Sequence, residues 1–156
     1  MNRRQFITTS AVSAAGLAVA GAAWLNSPST DAVLSLDETL GQLRAMSGKT
    51  LLSEGLWTPA HVFNHNAQSI DFSMAGFPQA KSAFFQTMIG ANAFAVFTAK
   101  RAMHHGLAEA IPGAPEIPND DKTEAAIARL IDSISRFQGF SGVLHPHFAY
   151  GRLTKA

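Results

Sequence analysis

Apolar residues recur at helical intervals along most of this chain. Leu36, Leu40, Leu43 and Met46 follow one another at spacings of 4, 3 and 3, one stripe of a short helix. Ser35 is placed to cap it, Asp37 and Glu38 sit where first-turn acids favour the dipole, and Gly48 ends it. The second helix has the clearest start. Thr58 caps, Pro59 takes the first helical position, and the helix runs to about Ala75 with Gly76 as its stop. Its stripe is Phe63, Ala67, Ile70 and Met74. Pro78 reopens a third helix from about Gln79 to His105. Phe84, Phe85, Met88, Ile89, Phe94, Val96, Phe97 and Met103 cover most of its circumference, which predicts the central and most buried helix. Gly90 in its middle marks a kink or a close contact, at a cost of up to about 1 kcal/mol relative to Ala.

Residues 111–119, with Pro112, Gly113, Pro115 and Pro118, read as a loop. Asn119 or Asp120 caps the next helix, whose Ile127, Leu130, Ile131, Ile134 and Phe137 make a clean stripe closed by Gly139 and Gly142. No segment alternates with period two and no internal repeat is evident. The class is therefore all-α, and the short links suggest an up-and-down helix bundle. Thr154 reads as the N-cap of a further helix, yet two residues follow it, so the last helix is expected to be truncated.

Composition narrows the function more than it names it. At 156 residues there is room for one domain, and 47% apolar against 15% charged residues excludes a disordered or coiled-coil chain. Without Arg3 and Arg4 there are 10 basic against 11 acidic groups, which gives no electrostatic case for nucleic acid. The absence of cysteine excludes disulfides, thiolate catalysis and zinc-thiolate sites.

The first residues read as an address. Arg3 and Arg4, with Phe6 and Ile7 in register, precede an uncharged run rich in Ala, Gly and Val. The pattern resembles the twin-arginine signal of bacterial Tat substrates, with small-residue cleavage sites at Ala18-Val19-Ala20 and Gly21-Ala22-Ala23. A membrane anchor would want about 20 strongly apolar residues, and this run is short and interrupted by Thr and Ser. The expected organisation is a signal peptide over 1–23, a polar linker over 24–34 and a helical domain over 35–156. The resemblance implies Tat export, a periplasmic or otherwise exported location, the Tat machinery as a partner and no stable membrane span.

Six histidines carry the candidate chemistry. His61 and His65 lie four apart on one face of the second helix, with Gln68 and Phe72. Such a pair is a common start for a zinc, nickel or iron site, needing one or two further ligands. That face lies almost opposite the apolar stripe, so the helical wheel turns it to solvent, although Phe72 argues for some cover. The sequence His61-Val62-Phe63-Asn64-His65 is not H-E-x-x-H, and the metalloprotease reading fails. His104 and His105 fit a helix C-terminus. His145 and His147 flank Pro146 and either complete a site with His65 or anchor their loop. Asp71 is an exposed acid or a group that orients His65, while Asp120 and Asp121 suit a helix start. No nucleophile elbow, P-loop or dinucleotide fingerprint is present.

The stretch from Trp57 through Thr58, Pro59, His61 and His65 to Ile70 is similar to the second-helix motif of the DinB-like (YfiT-like) superfamily of four-helix bundles. The tail Leu144-His145-Pro146-His147-Phe148-Ala149-Tyr150-Gly151-Arg152-Leu153-Thr154 resembles a segment preceding the last helix in an exported branch of unknown function. The resemblance implies a divalent metal (Zn, Ni or Fe) held by one second-helix histidine and two on the last helix. His65 matches the first ligand, His61 matches none, and the other two would lie beyond Ala156. The expectation is an exported DinB-like helical-bundle protein of uncharacterised activity that binds metal through His65, with His61 beside it. The alternative is a non-catalytic exported binding or structural module without a working metal site. Apolar faces left open by an absent helix suggest a homodimer.

Overall fold

The computed structural model describes residues 35–101, 108–118 and 122–155, and over them the chain is helical with no strand. The expected signal and linker, the histidines at 104 and 105, and the caps expected at Asn119 or Asp120 lie outside the described residues, as does Asp121. Four helical elements follow in order: α1 (Leu36–Met46), α2 (Pro59–Ala75), α3 and α4 (Thr123–Gly139). The third is compound. It runs Ala83–Phe85, makes a π-helical turn over Gln86–Gly90, and continues as Ala91–Lys100.

The caps of α1 and α2 follow from local chemistry. The Ser35 hydroxyl accepts from the Glu38 N–H, and the Thr58 hydroxyl accepts from the His61 N–H at 3.2 Å. Pro59 opens α2, and Gly76 closes it with φ of 103°. At the N-cap position of α4, Lys122 makes no side-chain capping bond. Instead the Glu124 carboxylate accepts from the Ser47 hydroxyl at 2.6 Å and from the Gly48 N–H, tying the end of α1 to the first turn of α4. Those two hydrogen bonds hold the Glu124 carboxyl below its ordinary range.

The core lies between α1, α2 and α4. Leu40, Leu43, Ala67, Ile127, Leu130 and Ile134 form it, with Met46, Leu51, Phe63, Ile70 and Ile131 packed against it. α2 and α4 share the largest helix–helix interface, and α1 lies on α4. Each fully buried Leu or Ile contributes roughly 1.5–3 kcal/mol by leaving water, so this three-helix core carries most of the stability.

The third helix departs from expectation in both extent and place. It begins at Ala83, where the Ser82 hydroxyl accepts from the Phe85 N–H, and not at Gln79. It leaves helical geometry at Arg101, whose φ is 50°. It is not the most buried helix: among its described residues only Gly90 is buried, whereas α4 buries five. Its apolar side chains lie where the pattern puts them from Phe84 to Phe97, but no second layer of helices covers them among the described residues. α3 is held chiefly by the turn at 147–151. The Gln86 side chain donates to the Phe148 carbonyl at 3.3 Å, the Lys81 N–H donates to the same carbonyl at 2.8 Å, and Gly90 meets Ala149.

Candidate functional site

A cleft of about 470 Å³ separates α2 from the first half of α3. His65 and Ser69 of α2 form one wall, Phe85, Ile89 and Ala93 of α3 another. Glu109 and Ile111 line a third side, and the turn carrying His147, Phe148, Ala149 and Tyr150 closes the base. The volume lies within the range of small-molecule sites.

His65 is positioned by the cap that starts α2. Trp57, just before Thr58, lays its indole against His61 at 4.4 Å between centroids and against His65 at 4.9 Å. Both rings are half-buried, and the His65 Nδ1 is shielded from solvent. The helical wheel had turned this face to water. The loop at 111–118 covers part of it: Gln68 is only 8% exposed and donates to the Pro115 carbonyl at 3.0 Å.

His147 is fixed by its own turn. Its backbone exchanges hydrogen bonds with Gly151, and its Nδ1 accepts from the N–H groups of Ala149 at 3.1 Å and Tyr150 at 3.3 Å. Burial pushes its pKa down to about 4, so the ring is neutral at pH 7. A neutral imidazole whose Nδ1 accepts carries its proton on Nε2. His147 therefore offers an N–H donor and has no lone pair left for a metal. Tyr150 stacks on it at 4.6 Å and 13°, Phe148 lies at 4.3 Å, and Phe77 meets its edge at 5.0 Å. Tyr150 also touches Phe94 and Phe97 of α3. Burial and then the Glu109 carboxylate raise the Tyr150 phenol, which stays protonated at neutral pH.

The histidines of interest are thus divided. His65 and His147 share the cleft, and His61 shares Trp57 with His65. His145 lines a second pocket of about 180 Å³ with Phe77, Phe137 and Leu153, which His147 also borders, and its backbone N–H donates to the Ser73 carbonyl. Asp71 pairs with Arg136 at 2.8 Å and lies 3.8 Å from Arg129, tying α2 to α4. Among the described residues no group of three His, Asp or Glu side chains gathers around a point that could hold a metal ion. Sequence reasoning missed Lys81 and Glu109 and saw Tyr150 only as part of the tail motif; each of the two charges stands alone in its segment and gives no pattern. The arrangement can hold a small molecule against aromatic rings, with His147 as a donor and a cation and a carboxylate on the walls.

A family model described as "Protein of unknown function (DUF1569)" matches residues 27–156. No curated protein and no solved structure matches the chain.

Proposed function

The chain belongs to the DUF1569 family of proteins of unknown function, and from its arginine-led first residues, its second-helix motif and the cleft between α2 and α3 we propose an exported DinB-like bundle that binds a small molecule in that cleft. In this reading His65 is the residue that takes a divalent metal, with His61 as its neighbour. The observation that carries it is the placement of His65 on the cleft wall, its ring against Trp57 and its Nδ1 shielded. A bound divalent ion would polarise a ligand oxygen there. What the chain's own residues do is narrower: the aromatic turn presents rings to a ligand, and His147 holds a donor proton at Nε2.

A second reading is favoured by His147 itself. Its lone pair is taken by the backbone, and the described residues converge on no three-ligand set. That arrangement suits a non-catalytic exported binding module with the same cleft.

Metal content by elemental analysis of purified wild type, His65→Ala and His61→Ala separates the two. Stoichiometric metal in wild type that is lost in His65→Ala supports the first. Equal metal in wild type and His65→Ala removes His65 from the site. Metal in none of the three leaves the binding module.

A further inference from the structure

A further pocket, of about 400 Å³, opens between α2, the loop over 111–118 and α4, and shares no lining residue with the cleft. Its size falls within the range of small-molecule sites. The loop wall is pinned. Ile111 and Ile117 anchor it, 3% and 9% exposed, and between them the buried Gln68 amide donates to the Pro115 carbonyl. Pro112, Pro115 and Pro118 restrict its backbone, so this wall is set before a ligand arrives.

The helical walls carry charges of both signs, and each is held. Arg129 of α4 donates to the Asn64 Oδ1 at 3.0 Å and stands 3.8 Å from Asp71, which Arg136 holds at 2.8 Å. Glu116 adds an exposed carboxylate from the loop, with no hydrogen bond or ion pair among the described residues. This mixture disfavours an ion. A ligand carboxylate at Arg129 would meet Asp71 beside it, and a cation drawn to Asp71 would meet Arg129 and Arg136. Glu116 alone, in contact with water, attracts a cation only weakly. A neutral hydroxyl suits the same walls, because one oxygen both donates and accepts. It donates to Asp71 or Glu116 and accepts from Arg129 or from the Asn64 NH2, whose own Oδ1 is already engaged. The rest of the lining is apolar: Phe72, Ile117 and the two prolines at 115 and 118.

We propose that this pocket binds a neutral sugar in its pyranose form. Such a ring has several adjacent hydroxyls for Asn64, Asp71, Glu116 and Arg129, and a face of C–H groups for Phe72 and the prolines. The site is distinct from the cleft, and the proposal does not depend on a metal at His65.

The test is an NMR titration of the nitrogen-labelled full chain with methyl glucoside, methyl galactoside, methyl mannoside and N-acetylglucosamine. Choline, citrate and alanine serve as cationic, anionic and zwitterionic probes. At least one sugar is expected to shift the backbone signals of Asn64, Gln68 and Glu116 saturably, while the charged probes leave them unmoved. Asn64→Ala/Glu116→Ala should weaken that binding about tenfold, as the loss of hydrogen bonds to a neutral ligand would. Asn64 also braces Arg129, so Glu116→Ala alone, at an exposed position without a partner, decides if circular dichroism shows the double variant misfolded; it should weaken binding about threefold. His65→Ala should bind the sugar as wild type does, which separates this outcome from that of the metal reading. No saturable shift at these residues with any of the four sugars would overturn the proposal. So would shifts confined to the cleft, shifts by a charged probe alone, or folded variants that bind like wild type.

Discussion

Gly90 lies so close to Ala149 that a methyl group on it would overlap the Ala149 carbonyl oxygen. The carbonyl carbon would be 2.9 Å away and the Tyr150 Cα 3.1 Å. All three atoms are backbone and cannot swing aside. Two effects therefore oppose each other in Gly90→Ala. Helix propensity would stabilise the variant by up to about 1 kcal/mol, whereas overpacking costs about 1–3 kcal/mol. The second should win, because relief requires moving the whole turn off α3. Urea denaturation is expected to show a less stable protein, with a changed Tyr150 environment. A variant as stable as wild type would mean that the turn is not docked on Gly90.

The neutral state of His147 gives stability a pH dependence of definite sign. Its folded pKa, about 4, lies below the ordinary histidine value near 6.5. Above pH 6.5 neither the folded nor the unfolded chain protonates it, and it adds no slope. As pH falls from about 6.5 toward 4, the unfolded chain takes up the proton and the folded one does not, so stability drops. Below about 4 both are protonated and the decline from this group ends. Denaturation of wild type and His147→Gln at several pH values isolates the effect by difference. Parallel curves between pH 4 and 6.5 would show that His147 titrates normally.

Thr58→Ala removes the acceptor that holds the His61 N–H. The loss is expected to be about 1 kcal/mol, as for other N-caps. The first turn of α2 should loosen with it, and that turn carries His61 and adjoins Trp57. Trp57 is half-buried, so its fluorescence should shift toward that of a solvated indole. Unchanged stability together with unchanged emission would show that Pro59 alone fixes the start of the helix.

Export can be tested apart from the fold. Replacing Arg3 and Arg4 with Lys keeps the charge but removes the planar guanidinium pair. On the proposed twin-arginine reading, translocation should then stop. Unimpaired export of the double variant would point to the general secretion route.

What could be read in advance was local. Thr58-Pro59 and Gly76 delimit α2 because a cap and a stop act on neighbours within one turn. The stripe of α4 was legible because its Ile127, Leu130 and Ile134 meet a single core. α3 failed for the complementary reason: eight apolar residues say that a helix avoids water, not that another layer exists to cover it. Gln68 failed likewise, since its cover comes from Pro115 through a hydrogen bond 47 positions away in sequence. The nearness of His65 and His147 to one cleft was among the readings open from sequence. The fate of the His147 lone pair was not, because it depends on how the chain turns after Pro146.

The single wide turn at Gln86–Gly90 divides α3 into two phases. A π-helical turn holds about one residue more than an α-turn, so the helix after it is rotated by about 100° from where an unbroken one would lie. Phe94 and Phe97 reach Tyr150 in that rotated frame. Deleting one residue within the turn would restore a continuous α-helix and swing both rings off Tyr150, although no contact residue had been changed. Relatives of this chain are therefore best aligned separately on the two sides of Gly90, with the length of the wide turn treated as a character in its own right.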